Sequence, residues 1–181
     1  MGDGGKLYNG IGQRQVELMR QMVGVAHLTI PNYTEACYLT GIQYKEKGIS
    51  ADDACHLLDR LIGLGAGSAV ITSCIIEGRN QVCGVIGNTE DTEITEGTEN
   101  TGGSKGYKTH FFLEYQEIPG LFHGTGDIFS AVLIAHLMKG EPLKQSTRKA
   151  MDVVSAMIMR NRDVKDRNCG IFIERCLDLI S

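Results

Sequence analysis

Four consecutive residues, Gly124-Thr125-Gly126-Asp127, open a strongly apolar run and carry the sharpest chemical signal in the sequence. Glycines let a backbone turn tightly and come close to a ligand. Amides at the start of a helix lack partners within it, and the helix dipole is positive there, so such a turn can hold an anion. A carboxylate in the turn can accept the proton of an alcohol poised to attack a phosphate. The same residues also read as a glycine turn in which Asp127 merely caps a helix, since short glycine motifs match often by chance. A second candidate pair, Asn32 and Glu35, stands in Ile30-Pro31-Asn32-Tyr33-Thr34-Glu35-Ala36, ahead of Leu39-Thr40-Gly41. Read structurally, these are a helix N-cap and a first-turn acid.

These residues need elements to place them. Val16, Met19 and Val23 recur at helical spacing and predict a helix over 12–24. Residues 25–30 read as a short strand, which Pro31 ends. Asn32 then caps a helix from Tyr33 to about Leu39, stopped by Gly41. Ser50 and Asp53 resemble a capping box ahead of an apolar stripe at Ala54, Leu57, Leu58, Leu61 and Ile62. The nearly all-apolar 68–76 predicts a strand buried on both faces, and a turn at 78–80 leads into an antiparallel edge hairpin. Polar, acidic 88–106 reads as a mobile loop or lid. A strand over 107–115, the apolar helix after the glycine turn, a helix over 143–162 and a short one over 174–180 complete the chain. The order predicts an α/β three-layer sandwich around a mostly parallel central sheet with right-handed crossovers, in one domain spanning 1–181.

The bulk numbers fit a globular protein: 181 residues, 42% apolar, 22% charged. A net charge of −4 gives no electrostatic reason to expect nucleic acid or an anionic membrane as partner. Neither a membrane-length apolar stretch nor a secretion-type start is visible, which points to a cytoplasmic protein. Six cysteines (Cys37, Cys55, Cys74, Cys83, Cys169, Cys176) lack any C-x-x-C pair and read as reduced core thiols.

Two further segments align with the first two. Met1-Gly2-Asp3-Gly4-Gly5-Lys6-Leu7-Tyr8 resembles the M-G-D-x-G-x-L-Y run of pyridoxal kinases, and Val70-Ile71-Thr72-Ser73 resembles their V-I-T-S strand end. Phe122 to Ala131 resembles their G-T-G-D-x-F-x-A turn and helix, and 30–41 resembles the T-P-N-x-x-E-A…L-T-G segment of ribokinase-like kinases in general. Order and spacing match over essentially the whole chain.

The resemblance implies a ribokinase-like fold lacking its amino-terminal strands, with the parts that grip the pyridoxal ring outside the sequence. It implies ATP-dependent phosphorylation of the 5′-hydroxymethyl group of pyridoxal, pyridoxine or pyridoxamine. Asp127 would be the catalytic base, and the amides of Gly124, Thr125 and Gly126 would hold the developing charge. Asp3, Asn32, Glu35, Thr72, Ser73 and Thr125 would belong to the ATP site, with Glu35 and Asp3 near Mg²⁺. A monovalent cation is implied too, although Ile30 replaces the family's threonine near it. Full-length members would be homodimers. Two alternatives stand: a hydroxymethylpyrimidine kinase, which shares fold and turn, and a catalytically silent nucleotide-binding fragment.

His27, His56, His110, His123 and His136 show no metal spacing, and His123 beside the glycine turn is the one to test. Arg160, Arg162, Lys165 and Arg167 read as a solvated basic helix end. Met151, Met157 and Met159 read as core.

Overall fold

The computed structural model describes residues 1–87, 108–120, 122–164 and 170–180. The acidic stretch 88–106, Lys165, Arg167 and Cys169 lie outside the described residues. The chain divides into two compact units, Met1–Glu114 and Tyr115–Ser181.

The first unit opens with a small antiparallel hairpin, β1 (Gly2–Asp3) and β2 (Lys6–Leu7), which the sequence reading did not contain. Then follow α1 (Gln13–Val23), β3 (Leu28–Thr29), α2 (Tyr33–Thr40), α3 (Ala51–Gly63), β4 (Ser68–Ile76), β5 (Arg79–Ile86) and β6 (Thr109–Glu114). The expected caps are made. Asn32 Oδ1 accepts from the Glu35 amide at 2.8 Å, and the Ser50 hydroxyl accepts from the Asp53 amide at 3.1 Å. Gly41 ends α2 in the left-handed conformation at φ 76°, as a glycine C-cap does.

The sheet runs β3-β4-β5-β6 and is mixed rather than mostly parallel. β3 and β4 are parallel, because α2 and α3 form the crossover between them. β4, β5 and β6 are antiparallel neighbours. The β4–β5 turn is Glu77-Gly78, one step earlier than expected, with both residues at positive φ (51° and 78°) as a tight two-residue hairpin requires. β5 is not an edge strand, since β6 pairs along it. Leu57, Leu58 and Leu61 of α3 and Ala36, Cys37 and Leu39 of α2 form one buried cluster with Ala69, Ile71, Cys74 and Ile76 of β4 and Cys83 and Val85 of β5. Burial at this level is the main source of the unit's stability. On α1, Val16 and Val23 are buried while Met19 is largely exposed.

The second unit packs α4 (Thr125–Met138) against α5 (Leu143–Asn161). Ile128, Met157, Ile171 and Cys176 form a second small core. Met151 and Met157 are buried as expected, but Met159 is 48% exposed because it lies on the outer side of α5. Two 3₁₀ turns, Ile173–Arg175 and Leu177–Leu179, replace the expected terminal helix. Arg160 is not simply solvated: its guanidinium forms a two-pronged pair with Asp178 and also donates to the Arg175 carbonyl, clamping those turns to α5. Among the described residues, no helix is long and apolar enough to cross a membrane.

Candidate functional site

In the first unit, three of the chemically suspect blocks converge on the N-terminus of α2. The Asn32 side chain faces two ways: its oxygen caps the helix, and its Nδ2 donates to the Gly2 carbonyl at 2.8 Å. The Gly5 amide donates to Thr34 Oγ1 at 2.9 Å, and the Tyr38 hydroxyl donates to the Gly5 carbonyl at 3.3 Å. The β1–β2 hairpin that carries Asp3 is thereby stitched to α2. Gly2 must be glycine here, since a Cβ would lie 2.4 Å from the Lys6 carbonyl oxygen. From the other side, the Thr72 amide donates to the Pro31 carbonyl at 3.1 Å, and Thr72 bridges Asn32 in parallel register.

The register of β4 slips between Ile71 and Cys74, and within the slip Ser73 takes φ 59°. A left-handed serine at a bulge carries local strain, and such outliers cluster where a side chain must be re-aimed. Thr72 is half-buried and Ser73 exposed, and the Thr72 backbone lies beside Asn32 at the head of α2. Glu35 Oε2 accepts from the Asn32 amide at 3.0 Å, and Oε1 accepts from the Met1 amino group at 2.7 Å. Asp3 is exposed, with Oδ1 accepting from the Gly4 amide at 2.8 Å.

In the second unit, the turn before α4 has a different character. Gly124 is the N-cap at φ 88°, ψ −4°, a conformation that only glycine adopts without strain. The first helical bond runs from the Ile128 amide to the Gly124 carbonyl, so the amides of Thr125, Gly126 and Asp127 precede the ladder. A left-handed residue leading into right-handed ones turns successive amides toward one concavity, which suits an anion. Among the described residues, a Cβ at Gly124 or Gly126 would meet nothing within 4 Å, so the turn is open on their side. Asp127 is exposed, and its carboxylate has no partner among the described residues. Thr125 Oγ1 donates to the Phe122 carbonyl at 3.3 Å. Among the described residues this is an open turn without a side-chain cap, beside a carboxylate that has no partner.

A family model described as phosphomethylpyrimidine kinase matches residues 7–171. The chain belongs to that family. Relatives in Schizosaccharomyces pombe and Arabidopsis thaliana, the second a pyridoxal kinase, are 28% and 30% identical over 175 and 166 residues, matches that take in 90% of this chain. The chain spans about half the length of these curated relatives, 50% and 47%. Among solved structures, the pyridoxal kinase of Lactobacillus plantarum superposes with a TM-score of 0.76 at 26% identity, covering 99% of this chain and 58% of that one. The Leishmania donovani pyridoxal kinase in complex with ADP and pyridoxamine gives 0.73 at 23% identity, a likeness of fold alone, covering 99% and 54%. The ribokinase-like α/β class expected from the motifs is therefore the fold of this phosphomethylpyrimidine kinase family chain.

Asp3, Asn32, Glu35, Thr72 and Ser73 thus share one locus of the first unit, and Gly124 to Asp127 form the locus of the second. Sequence reasoning missed Thr34 and Tyr38, which hold the hairpin, and Asn161 and Gly170, which lie behind the glycine turn. For Thr34 no signal stood out, since it lies in the first turn of a helix that also carries Glu35 and Thr40. The histidines stay outside both loci, except that His123 immediately precedes Gly124. His110 pairs with Asp59 at 3.1 Å, and His136 with Glu141 at 2.9 Å. Lys149 and His136 together hold the Glu141 carboxyl below its usual range. The five described cysteines are free, as expected.

Proposed function

We propose that this chain carries the nucleotide-binding and phosphoryl-transfer portion of a kinase that moves the γ-phosphoryl group of ATP to the 5′-hydroxymethyl group of pyridoxal and related B6 vitamers. The supporting observation is the Gly124–Asp127 turn, where a left-handed glycine presents open first-turn amides beside a carboxylate with no competing partner among the described residues. In that role the amides of Gly124, Thr125 and Gly126 donate to the oxygens of the transferred group as charge develops on them. Donors fixed in advance act there without reorganising. Asp127 takes the hydroxyl proton as the acceptor oxygen attacks.

Asn32, Thr72 and Ser73 serve the nucleotide side, the two hydroxyls donating to it. The hard oxygen donors of Asp3 and Glu35 suit Mg²⁺, which needs only one or two carboxylates when phosphates and water complete its shell. Asp3 and Glu35 would hold that ion, and it would neutralise phosphate charge. The family model's description, phosphomethylpyrimidine kinase, supports a pyrimidine as the second candidate acceptor.

The test is direct. The protein is incubated with Mg²⁺, ATP and, separately, pyridoxal, pyridoxine, pyridoxamine and hydroxymethylpyrimidine, and the phosphorylated product is quantified. The expected order places a B6 vitamer first. In a chain extended to the relatives' full length, Asp127→Asn lowers turnover by about 10²-fold or more with ATP affinity retained. Turnover that survives Asp127→Asn removes the mechanism, and preference for the pyrimidine transfers the assignment to the second acceptor.

A further inference from the structure

The glycine turn needs an external hold, because Gly124 and Gly126 have no side chains and, among the described residues, a Cβ on either would meet nothing within 4 Å. A hold arrives from the far end of the same unit. The Ile171 amide donates to the His123 carbonyl at 3.3 Å, gripping the residue directly before Gly124. Gly170 sits against that carbonyl at φ 73°, and a Cβ there would come to 3.0 Å from the His123 oxygen. The next amide, Phe172, donates to Asn161 Oδ1 at 3.1 Å. Asn161 is 3% exposed in the last turn of α5, and its Nδ2 donates to the Met157 carbonyl at 2.9 Å and to Cys176 Sγ at 3.5 Å. Ile171 itself is anchored in the small core with Ile128, which stands one residue after Asp127. A continuous path therefore runs from a buried amide on α5, through 170–172, to the carbonyl at the mouth of the turn.

We infer that Asn161 and Gly170 are positioning residues for the glycine turn, setting the direction of its amides toward a phosphate group. The inference rests on the kinase reading above. Its physical ground is that preorganised donors lose their effect with small displacements, a misplacement of about 1 Å costing on the order of 10²-fold in rate. An alanine at position 170 must push the His123 carbonyl or abandon the left-handed backbone, and either change reaches Gly124 directly. Loss of the Asn161 amide frees the Phe172 N–H and loosens the same segment from behind.

Gly140 supplies the control. It also sits at positive φ, 82°, but a Cβ there meets nothing within 4 Å among the described residues. Gly140→Ala thus imposes the same backbone strain as Gly170→Ala without touching His123.

The experiment titrates the full chain, uniformly ¹⁵N-labelled, with Mg²⁺-ATP and separately with adenosine, and follows the Thr125 and Gly126 amides. In the unsubstituted chain ATP shifts both amides and adenosine shifts neither. In Gly170→Ala and Asn161→Ala the ATP-induced shifts shrink and ATP affinity falls about tenfold, the equivalent of one well-placed hydrogen bond. Adenosine affinity stays unchanged, and Gly140→Ala behaves as the unsubstituted chain. Should Asn161→Ala fail to fold, Gly170→Ala against Gly140→Ala decides alone. Normal ATP shifts in Gly170→Ala overturn the positioning role and leave the kinase reading standing. An unsubstituted chain whose Thr125 and Gly126 amides ignore ATP overturns the kinase reading itself.

Discussion

The two loci are built on opposite plans. Around Asn32, side chains do the holding: a capping box, a carboxamide that spans to the Gly2 carbonyl, and the Thr34 and Tyr38 hydroxyls that grip Gly5. Most of those groups are buried or half-buried, where a hydrogen bond is expensive to lose. At Gly124 the backbone does the holding, the turn is open, and the Asp127 carboxylate has no partner among the described residues. The contrast separates two demands. A locus that only has to present hydroxyls and carboxylates in fixed places can be over-determined by side chains. A turn that must bring amides against a ligand cannot carry side chains in the way, so its rigidity has to come from elsewhere in the unit.

The plans predict different failures. Asn32→Ala removes an N-cap and the tether to Gly2, costing about 2 kcal/mol of stability in the first unit, with about 1 from the cap and about 1 from the tether. Gly124→Ala costs only about 1 kcal/mol, the strain of a left-handed alanine, yet should abolish most ATP binding at the turn. Chemical denaturation and ATP titration of both variants check this. Equal losses of stability and binding in each variant would erase the distinction between the loci.

The next effect tests how tightly the first locus is sealed. Tyr33 heads α2, and burial pushes its hydroxyl up from 10.0 to about 12, only partly offset by the hydrogen bond it accepts from the Lys45 amide at 3.2 Å. The neutral phenol is the form the fold favours. Its contribution is therefore complete below pH 10, where the unfolded chain is also neutral, and is lost as pH rises from 10 toward about 12. Urea midpoints should fall across that window, and fall less steeply in Tyr33→Phe. Tyr44, whose ring lies 4.9 Å from that of Tyr33, is also raised by burial, so part of the slope remains in the variant.

What the sequence could and could not disclose follows the same division. Local signals carried the caps at Asn32 and Ser50, the stop at Gly41 and the head of α4, because each depends on a few neighbouring residues. The convergence of Asp3, Asn32, Thr72 and Ser73 was visible only through motif resemblance, since strand pairing and the β4 bulge are long-range events. The β1–β2 hairpin escaped because two-residue strands leave no periodicity to read. The sheet's antiparallel half was under-called because an apolar run such as 68–76 has the same pattern in either kind of buried sheet. Asn161 and Gly170 carried no signal at all, their importance arising only from what folds against them.

The smallest expected effect concerns the hold on the glycine turn. The segment that grips His123 runs into the 3₁₀ turns that Arg160 and Asp178 clamp to α5, with Nη2 2.7 Å from Oδ2. That pair is exposed, Asp178 at 64%, so salt screens it and its contribution to stability is small. Arg160 nonetheless holds the Asp178 carboxyl below its ordinary 3.8. A depressed carboxylate stabilises the fold above its unfolded value, and that contribution drains away as pH falls through the folded one. Amide exchange at Ile171 should therefore quicken, relative to Glu35, when pH drops below about 3.8 or when salt is raised at neutral pH. Asp178→Asn should show the faster Ile171 exchange already at neutral pH and lose its salt dependence. Glu35, whose amide is bound by the uncharged Asn32 Oδ1 at 2.8 Å, should respond less to either change. If the Glu35 and Ile171 amides answer salt alike, the two loci share one source of rigidity, and the separation between a side-chain-held site and a backbone-held turn is wrong.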